Sequence, residues 1–143
     1  MFDSAGLEIL DREECLALLA TVPVGRIVYT HRALPAVQPV NFVMDGEAII
    51  IRTAPGAKFW GAAHDGVVAF EVDEINVEDH SGWSVTAVGH ASVVHDEQER
   101  RQLEALPLRP WAPGERNHFL RIPVDVVNGR RILAGAPARR NSA

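Results

Sequence analysis

Val43-Met44-Asp45-Gly46-Glu47-Ala48-Ile49-Ile50-Ile51-Arg52-Thr53-Ala54-Pro55-Gly56-Ala57-Lys58 is the stretch that decides the fold. Asp45-Gly46, set between Val43-Met44 and the apolar run at 48–51, signals a two-residue β-hairpin. The second strand then empties into a Pro55-Gly56 turn and a short helix expected over residues 57–64. A strand with a hairpin on one side and a brief helix on the other suits an antiparallel sheet. Parallel neighbours would need crossovers of a dozen or more residues.

Outward from this stretch the pattern continues. Residues 25–30 and 36–44 are β-rich on the amino-terminal side. Beyond it, strands are expected at 67–72, at 83–95 with a bend or bulge at Gly89, at 118–122 and at 126–130. Two helices carry capping signals. Asp11 with Glu14 opens one whose apolar stripe is Cys15, Leu16, Leu18 and Leu19, ending before Val22-Pro23. Residues 96–99, Asp-Glu-Gln-Glu, open another that ends at Pro107. An acidic loop is expected at 73–80 and a Pro-rich turn at 108–114. Six or seven strands spaced too tightly for repeated βαβ units make a mainly β, α+β chain. The expectation is a small antiparallel β-barrel with short peripheral helices. Residues 1–133 read as one domain, and 134–143, small, polar and Pro-containing, as a disordered tail.

Composition narrows the function. The chain has 143 residues, 47% apolar and 23% charged, which suits one soluble globular domain with a real core. A formal charge of -5 argues against a non-specific nucleic-acid binder, which needs a basic face. No apolar run approaches the roughly 20 residues that cross a bilayer. Met1-Phe2-Asp3-Ser4-Ala5-Gly6 lacks the basic and apolar regions of a signal peptide. Cys15 stands alone, so no internal disulfide can form, and its place in the helix stripe implies a buried thiol. These features point to the cytoplasm.

Several chemistries lack their residues. Gly56-Ala57-Lys58-Phe59 misses the second glycine and the hydroxyl of a phosphate-binding P-loop. No G-x-G-x-x-G is present, and Gly82-Trp83-Ser84-Val85-Thr86 lacks the last glycine of a nucleophile elbow. The six histidines are scattered without metal-ligand spacing, so no metal site is expected.

What remains is a constellation of donors. Lys58 is the only lysine among fourteen basic residues, a bias that a GC-rich genome produces. A lysine that survives such drift either needs a compact ammonium or is simply left on a solvated surface. Arg52, Thr53 and Lys58 could together hold a dianion, each charge-assisted bond contributing about 1.5–3 kcal/mol. Pro55-Gly56 adds backbone N–H groups at the start of the short helix. Pro39-Val40-Asn41-Phe42 sets an amide into an apolar strand, where it must find partners, in a ligand or in neighbouring backbone. Trp83-Ser84 offers an aromatic plate beside a hydroxyl, although a lone Trp is more often core or dimer interface.

Taken in order, Val24-Gly25-Arg26, Pro39-Val40-Asn41-Phe42, Arg52-Thr53-x-x-Gly56-x-Lys58, residues 68–73, Gly82-Trp83-Ser84-Val85, Pro110-Trp111 and Gly129-Arg130-Arg131 form a recognisable series. With it the chain resembles the pyridoxamine 5'-phosphate oxidase-like FMN-binding split barrels, in their short actinobacterial-type branch, over residues 7–132. The resemblance implies a six-stranded antiparallel split β-barrel forming a homodimer, with two flavin sites at the interface. It implies that Pro39, Val40 and Asn41 lie along the isoalloxazine and that Arg52, Thr53 and Lys58 hold the phosphate. Trp83 and Ser84 would reach in from the partner chain. True pyridoxine phosphate oxidases also carry a carboxy-terminal Arg-rich segment that grips the vitamin phosphate. After Arg131 this chain has only residues 132–137 and a short basic tail, which argues against vitamin B6 oxidation.

The expected function is therefore an FMN-dependent oxidoreductase, transferring hydride through flavin N5 to a small organic molecule. His118 is a weak candidate for acid–base assistance. The alternatives are a deazaflavin coenzyme in the same site, a flavin- or haem-binding protein without turnover, and a barrel that has lost its cofactor. A homodimer is expected because a single barrel leaves each flavin slot half open, and strand faces such as Val85, Ala87 and Val93 would need cover.

Overall fold

The computed structural model describes residues 1–64, 66–108 and 117–133. The elements run β1 (Glu8–Leu10), α1 (Arg12–Leu19), β2 (Val24–His31), β3 (Leu34–Asn41), β4 (Val43–Asp45), β5 (Ala48–Thr53) and α2 (Lys58–Ala63). They continue through β6 (Val67–Asn76), β7 (Ser81–His90), β8 (Ser92–Val93), α3 (Glu97–Glu104), β9 (His118–Pro123) and β10 (Val126–Ile132). One sheet has the order β1-β10-β7-β6-β2-β3 and the other β4-β5-β9-β8, with every pairing antiparallel. The two sheets do not close on each other, which makes an open split barrel of mainly β character.

The ten strands among the described residues exceed the expected number for physical reasons. The β-rich stretch at 36–44 is divided at Phe42, whose N–H donates to the Pro23 carbonyl at 3.1 Å. β3 then stays in the first sheet while β4 turns into the second. The long strand over 83–95 is likewise divided, at Ala91, whose N–H donates to Gly66 at 2.8 Å. Gly89 is the close approach that allows this corner, since a Cβ there would lie 1.8 Å from the Pro123 carbonyl oxygen. The expected hairpin forms with its turn one residue later than Asp45-Gly46: Asp45 pairs with Ala48, so Gly46-Glu47 make the turn. β6 runs on to Asn76 and absorbs the first half of the acidic loop. The Pro-rich turn falls mostly, and the carboxy-terminal tail wholly, outside the described residues.

Both long helices start as their caps dictate. The carboxylates of Asp11 and Asp96 each accept from the N–H three residues on, at 2.9 Å. No helix among the described residues is long and apolar enough to cross a membrane.

The main core lies between the sheets and contains Ile27, Phe70, Val72, Val85, Ala87, Ile122 and their neighbours. Burying a side chain of this size contributes about 1.5–3 kcal/mol. Gly25 is what lets Phe70 pack beneath β2, because a Cβ there would meet the ring at 2.4 Å. A smaller cluster of Ile50, Val94, Leu103, Leu108 and Phe119 sits under α3. Cys15 is fully buried as expected, its thiol pushed up by burial, then by Asp11 and Glu14. Val85 and Ala87, however, need no partner chain: both are fully buried in this chain's own core, and Val93 packs against it.

An open apolar row lies on the outer face of the six-stranded sheet. Registers Val37↔Val28, Val28↔Ala69, Ala69↔Val88 and Val88↔Val126 align one apolar row across five strands. Its two ends, Val37 and Val126, are 61% and 62% exposed.

Candidate functional site

α2 is short and no side chain caps it, so its position depends on packing. Phe59, 2% exposed, meets Tyr29 of β2 edge-on, with ring centroids 6.4 Å apart. That anchor fixes Lys58, the first residue of α2, with its side chain exposed. A cleft of about 910 Å³ opens between the β5–α2 loop and the β2–β3 hairpin. Ala54, Gly56, Ala57 and Lys58 line one side, and Tyr29, His31, Ala36, Val37 and Gln38 the other. The wall beside Gly56 is open, since a Cβ added there would meet nothing within 4 Å. The cleft thus joins small and apolar walls to one aliphatic ammonium, one imidazole and one amide.

The other expected residues are distributed by strand alternation. On β3, Val40 packs against the main core, so Pro39 and Asn41 take the opposite, outer face. Asn41 lies beside Val24 at that sheet edge. On β5, Thr53 is 2% exposed and turned inward, its hydroxyl donating to the Ala54 carbonyl at 3.4 Å. Arg52 takes the other face, above the Phe119 ring at 5.4 Å, and donates to Asn117 Oδ1 at 3.2 Å. Arg52 and Lys58 therefore do not line one cleft in this structure. Trp83 and Ser84 also part company. Trp83 packs against the main core and lines a separate groove of about 700 Å³ with Ile75, Gly82 and Ile132. Ser84 faces outward beside Asp73.

Other motif residues gather on that outer face. Arg26 Nη1 donates to Glu71 Oε1 at 3.0 Å and to Asp73 Oδ2 at 3.1 Å. Burial raises the Glu71 carboxyl above its ordinary range, with Asp73 adding to the rise and Arg26 opposing it. His118 sits at the start of β9 with its ring 5.3 Å from that of Trp60, and is not among the residues lining the cleft. His31 is. Among the described residues, no group of three or more His, Cys, Asp or Glu is placed to hold a metal ion.

Sequence reasoning did not single out Tyr29, His31 or Gln38. They alternate along β2 and β3 as structural strand residues do, and no local signal distinguishes them.

A family profile described as pyridoxamine 5'-phosphate oxidase matches residues 11–131. The chain belongs to this family. Within the pyridoxamine 5'-phosphate oxidase family it is similar to the uncharacterized protein Rv0080 of Mycobacterium tuberculosis. The two are 37% identical over 130 residues, covering 87% of this chain and 85% of that protein. Among solved structures it is similar to the FAD binding protein from Mycobacterium smegmatis, 36% identical with a TM-score of 0.74. That match covers 86% of this chain and 95% of the other. A conserved protein of unknown function from Corynebacterium diphtheriae is 35% identical with a TM-score of 0.74, covering 89% of this chain and 98% of that one.

Proposed function

We propose that the protein is a flavin-dependent oxidoreductase that holds FMN in the Lys58 cleft and acts on a small organic molecule. The observation that carries this is the cleft itself. Its volume falls within the roughly 300–1,000 Å³ of small-molecule sites, its walls are mostly small or apolar, and its lone ammonium lies at the end of a glycine-containing loop. Such a site suits a planar ring ending in a phosphate. Lys58 would hold the phosphate as a point charge, and Thr53 fixes the strand end from which the loop departs. Ala36 and Tyr29 would flank the ring, and Gln38 can donate to or accept from its polar edge. When bound, the flavin supplies the hydride chemistry; this chain supplies orientation, exclusion of water and charge. His31 replaces His118 as the nearer candidate to hold or move a proton.

The second reading changes only the nucleotide. The relative from Mycobacterium smegmatis is described as FAD binding, which favours FAD in the same cleft. A deazaflavin coenzyme, with its longer anionic tail, fits less well because Lys58 is the one permanent cation among the described lining residues.

We also propose a homodimer joined through the outer face of the six-stranded sheet. The apolar row described above would be covered by the same row of a second copy. The same face carries Pro39, Asn41 and Ser84, which would then approach the partner's cleft.

Mass spectrometry of the ligand released from gently purified protein, together with its absorption spectrum, tests the cofactor. FMN or FAD with flavin bands supports the proposal and decides between its forms. Colourless protein that binds neither on titration would overturn it.

A further inference from the structure

Arg26, Glu71 and Asp73 belong to the motif series, yet the cleft uses none of them. They lie on the outer sheet face, one row from the apolar stripe: Arg26 is paired in register with Pro39 and with Glu71, next to Val28 and Ala69. One guanidinium nitrogen serves both carboxylates, at 3.0 and 3.1 Å. The carboxylates are already partly withdrawn from water, with side chains 28% and 30% exposed. The triad therefore carries one negative charge more than it neutralises, on the face that carries the apolar row.

We propose that this triad makes self-association of the chain proton-linked, so that the dimer tightens in mild acid. The inference rests on the homodimer proposed above and concerns the regulation of that interface. In an isologous interface the surplus charge appears twice, once from each copy, and both are taken from water. Protonating Glu71 leaves Arg26 paired with Asp73 alone and brings each triad to neutrality.

The direction follows from linkage. Burial and Asp73 already hold the Glu71 carboxyl above its ordinary range in the single chain. Covering the face withdraws it further, so the carboxyl is raised more in the dimer than in the free chain. Association then takes up protons. The gain is fully present below the free-chain pKa and is lost as pH rises through the dimer pKa.

No other charge facing Glu71 reverses this. β2 presents Arg26, and β6 itself presents Asp73. β7 presents uncharged Thr86 and Ser84, and β3 beyond β2 presents Pro39 and Asn41. On β10, Asn128 is neutral and Arg130 is paired with Asp3 at 3.0 Å. His90, opposite Val67 on the same face, is the remaining imidazole near the triad among the described residues.

The test is analytical ultracentrifugation of the full chain from pH 8 down through the carboxylate range, for wild type, Glu71→Gln and His90→Asn. The wild-type dissociation constant should fall on the order of ten- to hundredfold as pH falls, about tenfold per pKa unit per copy. Glu71→Gln should be tight throughout and nearly pH-independent, whereas His90→Asn should keep the dependence. If the dimer persists at the lowest concentration at every pH, subunit exchange is timed instead, and it must slow in acid for wild type but not for Glu71→Gln. A dimer with pH-independent affinity and exchange, or one whose dependence survives Glu71→Gln, overturns the inference while leaving the dimer standing. A wild type that is monomeric at all pH values overturns the dimer itself.

Discussion

Lys58 and Arg52 are six residues apart but occupy different chemical situations. Lys58 extends from a packed helix start into the cleft, whereas Arg52 is held over Phe119 and by Asn117 on the far face of β5. Lys58→Ala should therefore raise the FMN dissociation constant ten- to hundredfold, the loss of about 1.5–3 kcal/mol expected for one charge-assisted contact. Riboflavin, which lacks the phosphate, should bind almost equally to both proteins. Arg52→Ala should cost FMN less than Lys58→Ala does. Parallel titrations decide this, and equal weakening of both ligands by Lys58→Ala would assign the lysine to the fold instead. Lys58 was legible because composition made it singular. The grouping of Arg52 with Thr53, and of Pro39 with Val40 and Asn41, was misleading because adjacent strand residues face opposite sides. Gly25 offers a stability test at the same scale. Gly25→Ala must displace the fully buried Phe70 ring, and should destabilise by about 1–3 kcal/mol in urea unfolding.

At the scale of elements, local chemistry was readable and long-range pairing was not. Asp11 and Asp96 cap their helices because a carboxylate reaches only its own first turn, which sequence displays directly. Asp11→Ala should accordingly lower stability by about 1 kcal/mol. β1 was missed because three residues carry no periodicity, and only pairing with β10 makes them a strand. The assignment of β3 and β4 to different sheets is likewise decided by partners distant in sequence. The β2–β3 turn shows what sequence reading overlooked beside the cleft. Arg32 and Ala33 both adopt positive φ, 51° and 64°, in a two-residue hairpin that favours Asn-Gly. A left-handed Ala costs about 1–2 kcal/mol, part of which glycine's greater unfolded entropy offsets. Ala33→Gly should thus raise the unfolding midpoint by the equivalent of about 0.5–1 kcal/mol. A drop instead would mean that the turn relaxes in solution.

For the whole molecule, the barrel was legible from strand spacing, but the surface left for a partner was not. Val85, Ala87 and Val93 were expected to need a partner's cover, because strand alternation alone does not tell which face meets the chain's own core. The assembled sheet turns Val85 and Ala87 inward and leaves Val37, Val28, Ala69, Val88 and Val126 outside. β3 forms the open edge of this sheet, and its prolines at 35 and 39 remove donors that an edge strand would otherwise offer to further chains. Growth by edge pairing is thereby discouraged. Val126→Asp is the decisive substitution, because a side chain already 62% exposed and outside the cleft lining can change charge without disturbing the core or the site. Placed against its own symmetry mate, the new carboxylate would be buried unpaired. Sedimentation should then show a folded monomer where wild type is a dimer at micromolar concentration. Val77→Asp, at a side chain 78% exposed and away from the apolar row, serves as control and should leave the dimer intact. If Asn41 and Ser84 complete the flavin site from the partner, Val126→Asp, which does not touch the cleft, should also weaken flavin binding, and the loss should be recovered at protein concentrations that restore the dimer. A wild-type monomer with flavin fully bound would remove both the interface and the shared site.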